Sequence, residues 1–378
     1  MARSRASMKV KALVEAMEKI APTWAAEEWD NVGLLVGSEA WKASRAMLTV
    51  DLTPAVLGEA SGGGFDVIVA YHPPIFRPVK RMTPDGREQA GLAAEALARR
   101  IAVYSPHTAW DAAVGGTNDT LAGLCGLDDV RPAASVGAGD PKYKLVVFVP
   151  ASHVERMAEA IYKAGAGRIG DYEKCSFRLR GQGTFFGTET TDPVVGRRGR
   201  LERVEEIRLE AIFPRRALAE VTAAIRRFHP YEEPAFDVYP LETVLDRRMG
   251  QGRIGRFAKP VTLRGLARSL ACRVKAGSIV TIGGAGTRLR RGVVWVGAAG
   301  SAPLAACKPC GPGDVVITGE VRHHEALQYQ RQGVAVIALG HWASERPALK
   351  PMAAGLKKLL PDVAVAISRA DRDPFESV

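Results

Sequence analysis

The sequence has few of the residues that mark several classes of protein. Only five cysteines occur among 378 residues, and an odd, sparse set of thiols does not form the disulfide framework of a small secreted domain. No apolar run approaches the roughly 18 residues that a membrane-spanning helix needs. The first residues also lack the apolar core of a signal peptide. We therefore expect a cytoplasmic protein that does not enter a membrane.

Two of the cysteines, Cys307 and Cys310, form a single CxxC pair. A structural zinc site would need a second pair, which Cys125, Cys175 and Cys272 do not supply. The pair also lies between Gly- and Pro-rich turns, whereas a thioredoxin-like motif lies where a strand meets a helix. The sequence therefore predicts two reduced thiols.

Aromatic residues make up only 7% of the chain, whereas the formal net charge is +11. Such a charge favours anionic partners. The Lys and Arg residues are scattered, however, and no aromatic residues interleave with them as a single-strand binder requires. The spacing of a helix-turn-helix or a zinc finger is also absent. We expect a solvated basic surface, and a nucleic-acid or nucleotide-phosphate surface is the alternative.

The order of the predicted elements indicates two kinds of domain. Buried apolar runs alternate with helices before residue 140 and again after residue 246, which predicts an α/β domain with a mostly parallel sheet. The segment Pro132 to Asp140 is typical of a linker. Residues 141–245 follow the order βαββαβ of a ferredoxin-like plait. We therefore predict a discontinuous main domain, residues 1–140 and 246–378, with an inserted ferredoxin-like domain at 141–245.

Three buried strands of the main domain end in side chains that can ligate a metal. The apolar runs FDVIVA, IAVYS and VAVIAL are each followed by such side chains, which are His72, Asp111, His341 and Glu345. If the three strands share one parallel sheet, their carboxyl ends bring these residues together. Imidazole and carboxylate ligands together suit zinc, iron or manganese. Two such ions can clamp a hydrolytic displacement.

Other histidines are candidates for the same site or for ordinary structural roles. His107 lies four residues before Asp111 and is either a neighbour of the metal site or a packed, helix-capping residue. His323, His324 and Glu325 are adjacent near the start of a helix. At most one or two of them can face a shared site, because consecutive helical residues point in different directions.

Six motifs occur in a fixed order along the chain. They are WDNVGLLVG, YHPPIFRPVKR, YSPHTAWDAA, TGEVRHHEAL, GHWASER and SRADRDPF. From about Met8 to the C-terminus the chain resembles the Nif-three-like family, some members of which are labelled GTP cyclohydrolase 1 type 2 homologues. The resemblance implies a toroidal hexamer, built as a trimer of dimers, with dinuclear metal sites facing its interior. It also implies that the inserted domain caps the ring.

The same resemblance implies a set of metal ligands. In the family these are a His-His pair, an Asp, and a His with a Glu four residues later. The second His of the pair and the other three ligands fall on His72, Asp111, His341 and Glu345. The first His is Tyr71 here, and a neutral phenol is a poor ligand near neutral pH. We therefore expect one or two divalent transition-metal ions per chain, with His107 or water completing a second site, or with Tyr71 placing a substrate or a bridging water.

Two functions from different classes fit these observations. The first is a metal-dependent hydrolase, GTP cyclohydrolase-like, in which metal-activated water attacks a nucleotide-like or phosphorylated small molecule. The second is a non-catalytic metal-binding ring, whose inserted domain senses a ligand or a partner. The basic charge fits the first function, although the sequence contains no dedicated base-recognition motif.

Overall fold

The structure is a computed structural model, and it describes residues 8–82, 88–137, 142–191, 194, 196–242 and 245–376. The chain divides into two compact units. One unit is formed by the chain up to Val136 and from Leu245 onward, and the other is Gly137–Val244. Among the described helices, none combines the length and the apolar character that a membrane crossing needs.

The described strands are β1 (Gly33–Val36), β2 (Arg45–Thr49), β3 (Val67–Ala70), β4 (Ala102–Ser105), β5 (Asp128–Gly137), β6 (Lys142–Pro150), β7 (Phe177–Phe186), β8 (Leu201–Pro214), β9 (Phe236–Pro240), β10 (Leu245–Thr262), β11 (Val280–Ile282), β12 (Arg288–Ala298), β13 (Asp314–Glu320), β14 (Ala335–Ala338) and β15 (Ala364–Ile367). The described helices are α1 (Val10–Ile20), α2 (Pro54–Gly62), α3 (Gln89–Ala98), α4 (His107–Ala112), α5 (Thr117–Cys125), α6 (Val154–Lys163), α7 (Leu218–Phe228), α8 (Leu263–Val274), α9 (Ala302–Ala306), α10 (His323–Arg331), α11 (His341–Glu345) and α12 (Leu349–Leu359).

The first sheet of the larger unit has five strands in the order β1-β4-β3-β2-β15. All neighbours in it are parallel except the pair β1 and β4. Alternate side chains of β2, β3 and β4 pack against α1 and α12 on one face and against α2 and α3 on the other. Every residue of β3 and β4 is therefore buried, which explains their continuous apolar sequences.

The second sheet of the larger unit has six strands in the order β11-β14-β13-β12-β10-β5. Strands β12, β13 and β14 are parallel, whereas β10 runs antiparallel to β12 and β11 runs antiparallel to β14. Helices α5 and α8 cover one face of this sheet, and α9 and α10 contribute side chains to the core on the other.

The three ligand-bearing strands do not meet the condition of sharing one sheet. Strands β3 and β4 belong to the five-stranded sheet, whereas β14 belongs to the six-stranded sheet. An apolar run of four to eight residues predicts a buried strand, but it does not specify which strands lie beside it. The residues that follow β3 and β14 meet nevertheless, because the carboxyl ends of the two strands face the same place.

The linker predicted from Pro132 to Asp140 is wrong over its described part. Residues 132–137 belong to β5, at the edge of the six-stranded sheet, and residues 138–140 lie outside the described residues. Proline is tolerated in an edge strand, because one side of that strand needs no hydrogen-bond donor. A composition typical of a loop can therefore occur in a strand at this position.

The smaller unit has the element order β6-α6-β7-β8-α7-β9. Its four strands form one antiparallel sheet in the order β7-β8-β6-β9. Helices α6 and α7 pack on one face of this sheet, through a core that includes Leu145, Met157, Leu209 and Ile225. The opposite face, which carries Leu179, Arg208 and Phe148, has no helix against it in that core.

Candidate metal centre

Two histidines and one glutamate converge where the ends of β3 and β14 meet. Ligand atoms of His72, His341 and Glu345 all lie within 4.8 Å of one another. Nε2 of His341 is 3.1 Å from Oε1 of Glu345, and Nε2 of His72 is 3.4 Å from Oε2 of Glu345. The Glu345 side chain is only 3% exposed, and its Oε2 has no hydrogen-bond partner among the described residues. A buried, unsatisfied carboxylate oxygen that faces two imidazole nitrogens suits a bound cation.

The backbone after β14 explains how one short segment supplies two of these side chains. The N–H groups of Leu339 and Gly340 donate to Thr318 and Gly319 of β13, at 2.9 and 2.8 Å, and so extend the sheet. Gly340 then has a φ of 92°, which glycine adopts at little cost. Helix α11 begins at the next residue. Because residues four apart lie on one face of a helix, both of its ligating side chains point the same way.

Gly297 at the end of β12 leaves the space that these side chains occupy. Its φ is +62°, and a Cβ atom there would lie 2.7 Å from Oε1 of Glu345 and 3.2 Å from Nε2 of His341. Any larger residue would therefore push against both ligand atoms. The backbone of the six-stranded sheet thus forms one wall of the site.

Each of the two histidines has a second carboxylate on its other ring nitrogen. Nδ1 of His72 is 2.9 Å from Oδ1 of Asp51, and Nδ1 of His341 is 3.2 Å from Oε1 of Glu320. A carboxylate on Nδ1 fixes the ring orientation and leaves Nε2 for a metal. Sequence reasoning missed Asp51 and Glu320. In the structure Asp51 lies two residues after β2 and Glu320 is the last residue of β13, so both also lie at strand ends.

Charge interactions among these groups oppose the effect of their burial. Burial alone would lower the pKa of His72, but the charge of Glu345 and a hydrogen bond with Asp51 raise this pKa to about 10. Burial alone would also lower the pKa of His341, but its contact with Glu345 raises this pKa to about 9. Burial would raise the pKa of Glu345, but the two histidines lower it to about 2. Without an ion, the protonated imidazoles and the ionised carboxylate therefore stabilise one another, and a cation would displace the imidazole protons.

Asp111 and Tyr71 lie beside this group and are paired with each other. The Tyr71 hydroxyl donates to Oδ1 of Asp111 at 2.7 Å, and both side chains are buried. Burial, and then the negative charges of Asp111 and Glu345, raise the pKa of Tyr71 well above its usual value, so that the phenol stays neutral. Burial also raises the pKa of Asp111 to about 6, against the effects of His107 and Tyr71. Tyr71 is therefore a donor that orients Asp111.

His107 lies against the same cluster from the start of α4. Its ring centroid is 5.3 Å from that of His72 and 5.4 Å from that of Tyr71. Its Nδ1 is 2.8 Å from Oδ1 of Asp30, and Oδ2 of Asp30 accepts a hydrogen bond of 3.1 Å from the Thr108 backbone N–H. This is a third histidine whose Nδ1 is held by a carboxylate. The described structure thus brings the predicted His107 to the edge of the site.

His324 lies apart from this arrangement. Its side chain is exposed near the start of α10, and its ring meets that of His323 edge to face, with 5.6 Å between centroids. It does not belong to the group of ligand atoms around Glu345 among the described residues. Its inclusion in the site stays a prediction.

Asp371, in the closing SRADRDPF motif, links the two sheets next to the site. Its Oδ1 accepts a hydrogen bond of 2.8 Å from Nε1 of Trp342 in α11. Its Oδ2 accepts from the backbone N–H of Val50, just after β2, at 3.2 Å, and lies 2.8 Å from Nε of Arg346. One buried carboxylate therefore holds the segment after β2 and the helix that carries His341. Sequence reasoning quoted the motif but assigned no role to this residue.

Comparison with known proteins identifies the family. The sequence model of the family described as Duf34/NIF3 (NGG1p interacting factor 3) matches residues 8–374. The chain belongs to the Duf34/NIF3 family. The resemblance predicted from the six motifs is therefore confirmed.

Relatives of this NIF3-family chain match it along nearly its whole length. It is 34% identical over 367 residues to the GTP cyclohydrolase 1 type 2 homolog of Halalkalibacterium halodurans, covering 96% of this chain and 97% of the relative. It is 33% identical to the protein of the same name from Bacillus subtilis, covering 98% of both chains. The crystal structure of a Bacillus cereus protein related to NIF3 superposes with a TM-score of 0.67 at 30% identity, covering 98% and 99% of the two chains. The mixed α/β fold with several sheets is thus shared with a NIF3-related protein.

Proposed function

We propose that this NIF3-family chain is a metal-dependent hydrolase that acts on a nucleotide-like or phosphorylated small molecule. The observation that carries the proposal is the buried Oε2 of Glu345, which lacks a hydrogen-bond partner and faces the imidazoles of His72 and His341. The names of the H. halodurans and B. subtilis relatives support a GTP cyclohydrolase-like reaction. The net charge of +11 supports an anionic substrate,.

The residues present fit one or two divalent ions of the zinc, iron or manganese class. His72, His341 and Glu345 would hold the first ion, and Asp111 lies beside them as a further ligand. A bound ion of this class supplies Lewis acidity and water whose pKa is lowered towards neutrality. Asp51 and Glu320 keep the two imidazoles turned towards Glu345, and the Tyr71 hydroxyl keeps Asp111 in place.

We also propose the architecture that the family resemblance implies. In it, residues 141–245 are a ferredoxin-like domain inserted into a discontinuous main domain, 1–140 and 246–378, and the chains assemble into a toroidal hexamer. The strand order β7-β8-β6-β9, with both helices on one face, supports the ferredoxin-like assignment,. The exposed rings of Trp29 and Phe76, whose centroids are 5.8 Å apart, form an apolar surface that supports an assembly that covers it,.

Turnover of a panel of nucleotides and phosphomonoesters, with added zinc or manganese, tests the hydrolase. We expect His341→Ala to lower turnover more than about 100-fold, because even the outer partners of metal ligands change activity 10–100-fold. His153→Ala is the matched control and should keep wild-type turnover, since His153 belongs to the smaller unit and lies outside the ligand group. Metal content per chain by elemental mass spectrometry should fall in the first variant only. Full turnover in His341→Ala with an intact fold would refute the proposal.

A non-catalytic metal-binding ring that senses a ligand is the second candidate, and one observation favours it. A cavity of about 650 Å³ opens on the face of the smaller unit's sheet opposite α6 and α7, and its lining includes Phe148, Leu179, Phe185, Tyr231 and Arg208. Its volume is in the range of small-molecule sites. Two results together would favour this function over the hydrolase. The first is no turnover of any compound in the panel. The second is tight binding of one of these compounds that Phe148→Ala and Tyr231→Ala abolish.

A further inference from the structure

A second cluster of metal-ligand atoms lies in the larger unit, away from the histidine centre. The Sγ atoms of Cys307 and Cys310 and a carboxylate oxygen of Asp314 lie within 4.8 Å of one another. Cys307 follows α9, and Asp314 is the first residue of β13. Glu320, which holds His341, is at the opposite end of that strand. The seven-residue strand separates the two clusters by about 20 Å.

Hydrogen bonds to one carboxylate hold the turn that contains both cysteines. Arg291 donates from Nε to Oδ1 of Asp314 at 2.8 Å and from its terminal nitrogen to Oδ2 at 2.6 Å. The same terminal nitrogen donates to the carbonyl of Pro309, between the cysteines, at 2.6 Å. The backbone N–H of Gly311 donates to Oδ2 of Asp314 at 2.9 Å. The three ligand atoms are therefore held together by contacts that need no ion.

The two thiols are shielded from solvent to different extents. Cys307 is 2% exposed and packs in a core with Leu304 and Tyr329, whereas Cys310 is half-buried at the edge of that core. Burial, and then the neighbouring Cys307 and Asp314, raise the pKa of the Cys310 thiol well above its usual value. In the ion-free protein this thiol is therefore protonated, and it is a weak nucleophile at neutral pH.

We propose that Cys307, Cys310 and Asp314 bind one thiophilic divalent cation of the zinc or cadmium class. Binding replaces the two thiol protons, which are released to solvent. The opposite charges of Asp314 and Arg291 cancel, so the two thiolates leave a double negative charge that a divalent ion balances. Thiolate sulfur is a soft ligand that selects such ions, and three protein ligands leave a fourth position for water.

The sequence spacing alone led to the opposite prediction, two reduced thiols. That interpretation required a second CxxC pair as the remaining ligands. The fold supplies a carboxylate instead, four residues after Cys310 and oriented by Arg291 on the neighbouring strand β12. This third ligand, an oxygen, favours a bound cation over a simple disulfide, because a disulfide between the two cysteines would not involve the carboxylate.

Cobalt titration of the full chain tests this site without relying on enzyme activity. With the thiols kept reduced by a phosphine, we expect a sulfur-to-cobalt charge-transfer absorption that saturates at one ion per chain. Cys310→Ser should abolish this band. Cys272→Ser, which changes an exposed thiol outside the cluster, is the matched control and should leave the band unchanged. The band should also persist in His341→Ala, so that failure of this proposal and failure of the hydrolase are distinguishable.

Three outcomes would overturn the proposal. The first is no charge-transfer band in the reduced wild-type chain, and the second is a band that Cys310→Ser leaves intact. The third is absence of the band in a protein that oxidised glutathione converts to a disulfide, seen as the loss of two free thiols and a mass decrease of two hydrogen atoms. That result would assign the cysteine pair to thiol–disulfide exchange. Unchanged circular dichroism of Cys310→Ser excludes misfolding as the cause of a lost band. Asp314→Asn should weaken cobalt binding by about tenfold or more, because it replaces the oxygen ligand.

Discussion

The two sheets of the larger unit contribute to the histidine centre in different ways. The five-stranded sheet supplies His72, whose side chain is 25% exposed, and a partner, Asp51, that is 38% exposed. The six-stranded sheet supplies His341, which is 35% exposed, and a partner, Glu320, that is 55% exposed. A histidine paired with a carboxylate therefore occurs in both sheets, and the pair in the five-stranded sheet is less exposed to solvent.

The difference extends to the hydrogen bonds around each histidine. On the five-stranded side, the Tyr71 hydroxyl already donates to Asp111, and His107 is already paired with Asp30. On the six-stranded side, Oε2 of Glu345 has no hydrogen-bond partner among the described residues. The first sheet thus provides a pre-organised frame, and the second provides the carboxylate that an ion would satisfy. The histidine centre therefore depends on keeping the two sheets in a fixed relative position.

Removal of the link between the sheets should have the largest effect. Asp371→Ala removes hydrogen bonds from Trp342 and the Val50 backbone and leaves Arg346 without its buried carboxylate. We expect the free energy of unfolding to fall by about 3 kcal/mol, as when one partner of a buried ion pair is removed. Metal affinity should fall as well, because Val50 precedes Asp51 and Trp342 follows His341. Chemical denaturation and metal titration measure the two effects.

Asp373→Ala is the matched control for this prediction. Asp373 is in the same segment, and its Oδ1 accepts a hydrogen bond of 3.0 Å from the nearby Phe375 backbone N–H. We expect its free energy of unfolding to stay within about 0.5 kcal/mol of wild type, as for ordinary surface substitutions. Equal losses in the two variants would mean that the segment matters as a whole and that Asp371 is not a specific link between the sheets.

Strand-end reasoning found part of this site from the sequence. It selected His72, His341 and Glu345, because each follows an apolar run long enough to be a buried strand. It did not reveal that the runs belong to two sheets, since periodicity reports burial and not neighbours. Asp51 and Glu320 also lie at strand ends, at β2 and β13, but their role depends on the histidine that each contacts, and only the tertiary structure shows those contacts.

Strand β10 was not predicted from the sequence, because its composition is not typical of a strand. It runs over eighteen residues and contains Gly250, Gly252 and a buried arginine, Arg253. Glycine and arginine do not produce the alternation by which a strand is recognised. Arg253 is compensated by contacts from elsewhere in the chain, with Asp119 and the carbonyl of Ala113. Only the tertiary structure supplies these partners, so the sequence pattern alone could not indicate them.

The two orienting carboxylates offer a direct comparison between the sheets. Asp51→Asn and Glu320→Gln each remove one negative charge next to a histidine and keep the shape of the side chain. We expect Asp51→Asn to weaken metal binding towards the upper part of the 10–100-fold range for such partners. Glu320→Gln should lie near the lower end, because Glu320 is more exposed and its contact is longer, 3.2 Å against 2.9 Å.

Metal affinity measured by competition with a chelating dye tests this order. The double variant shows whether the two carboxylates act independently, since independent effects multiply in the binding constant. A larger loss in Glu320→Gln than in Asp51→Asn would reverse the comparison and make the six-stranded sheet the more rigid contributor. Equal affinities in both variants and wild type would mean that neither carboxylate orients its histidine.

The smallest effect is expected at Glu59, at the end of α2, which holds the segment that leads to Asp371. Its carboxylate accepts hydrogen bonds from the Ser368 hydroxyl at 2.6 Å and from the backbone N–H groups of Arg369 and Ala370 at 3.0 Å. Burial alone would raise the pKa of Glu59, but these hydrogen bonds lower it below the usual 4.5. Since the folded pKa is the lower one, the ionised carboxylate stabilises the fold above pH 4.5. This contribution is lost as the pH falls through the folded pKa.

Glu59→Gln should therefore lower the free energy of unfolding by about 1 kcal/mol at pH 7 and by progressively less towards pH 4. Glu95→Gln, which changes a partly exposed helix pair with Arg99, is the control with little expected effect. A loss of stability in Glu59→Gln that does not diminish at low pH would mean that the shape of this side chain, and not its charge, holds the segment against the five-stranded sheet.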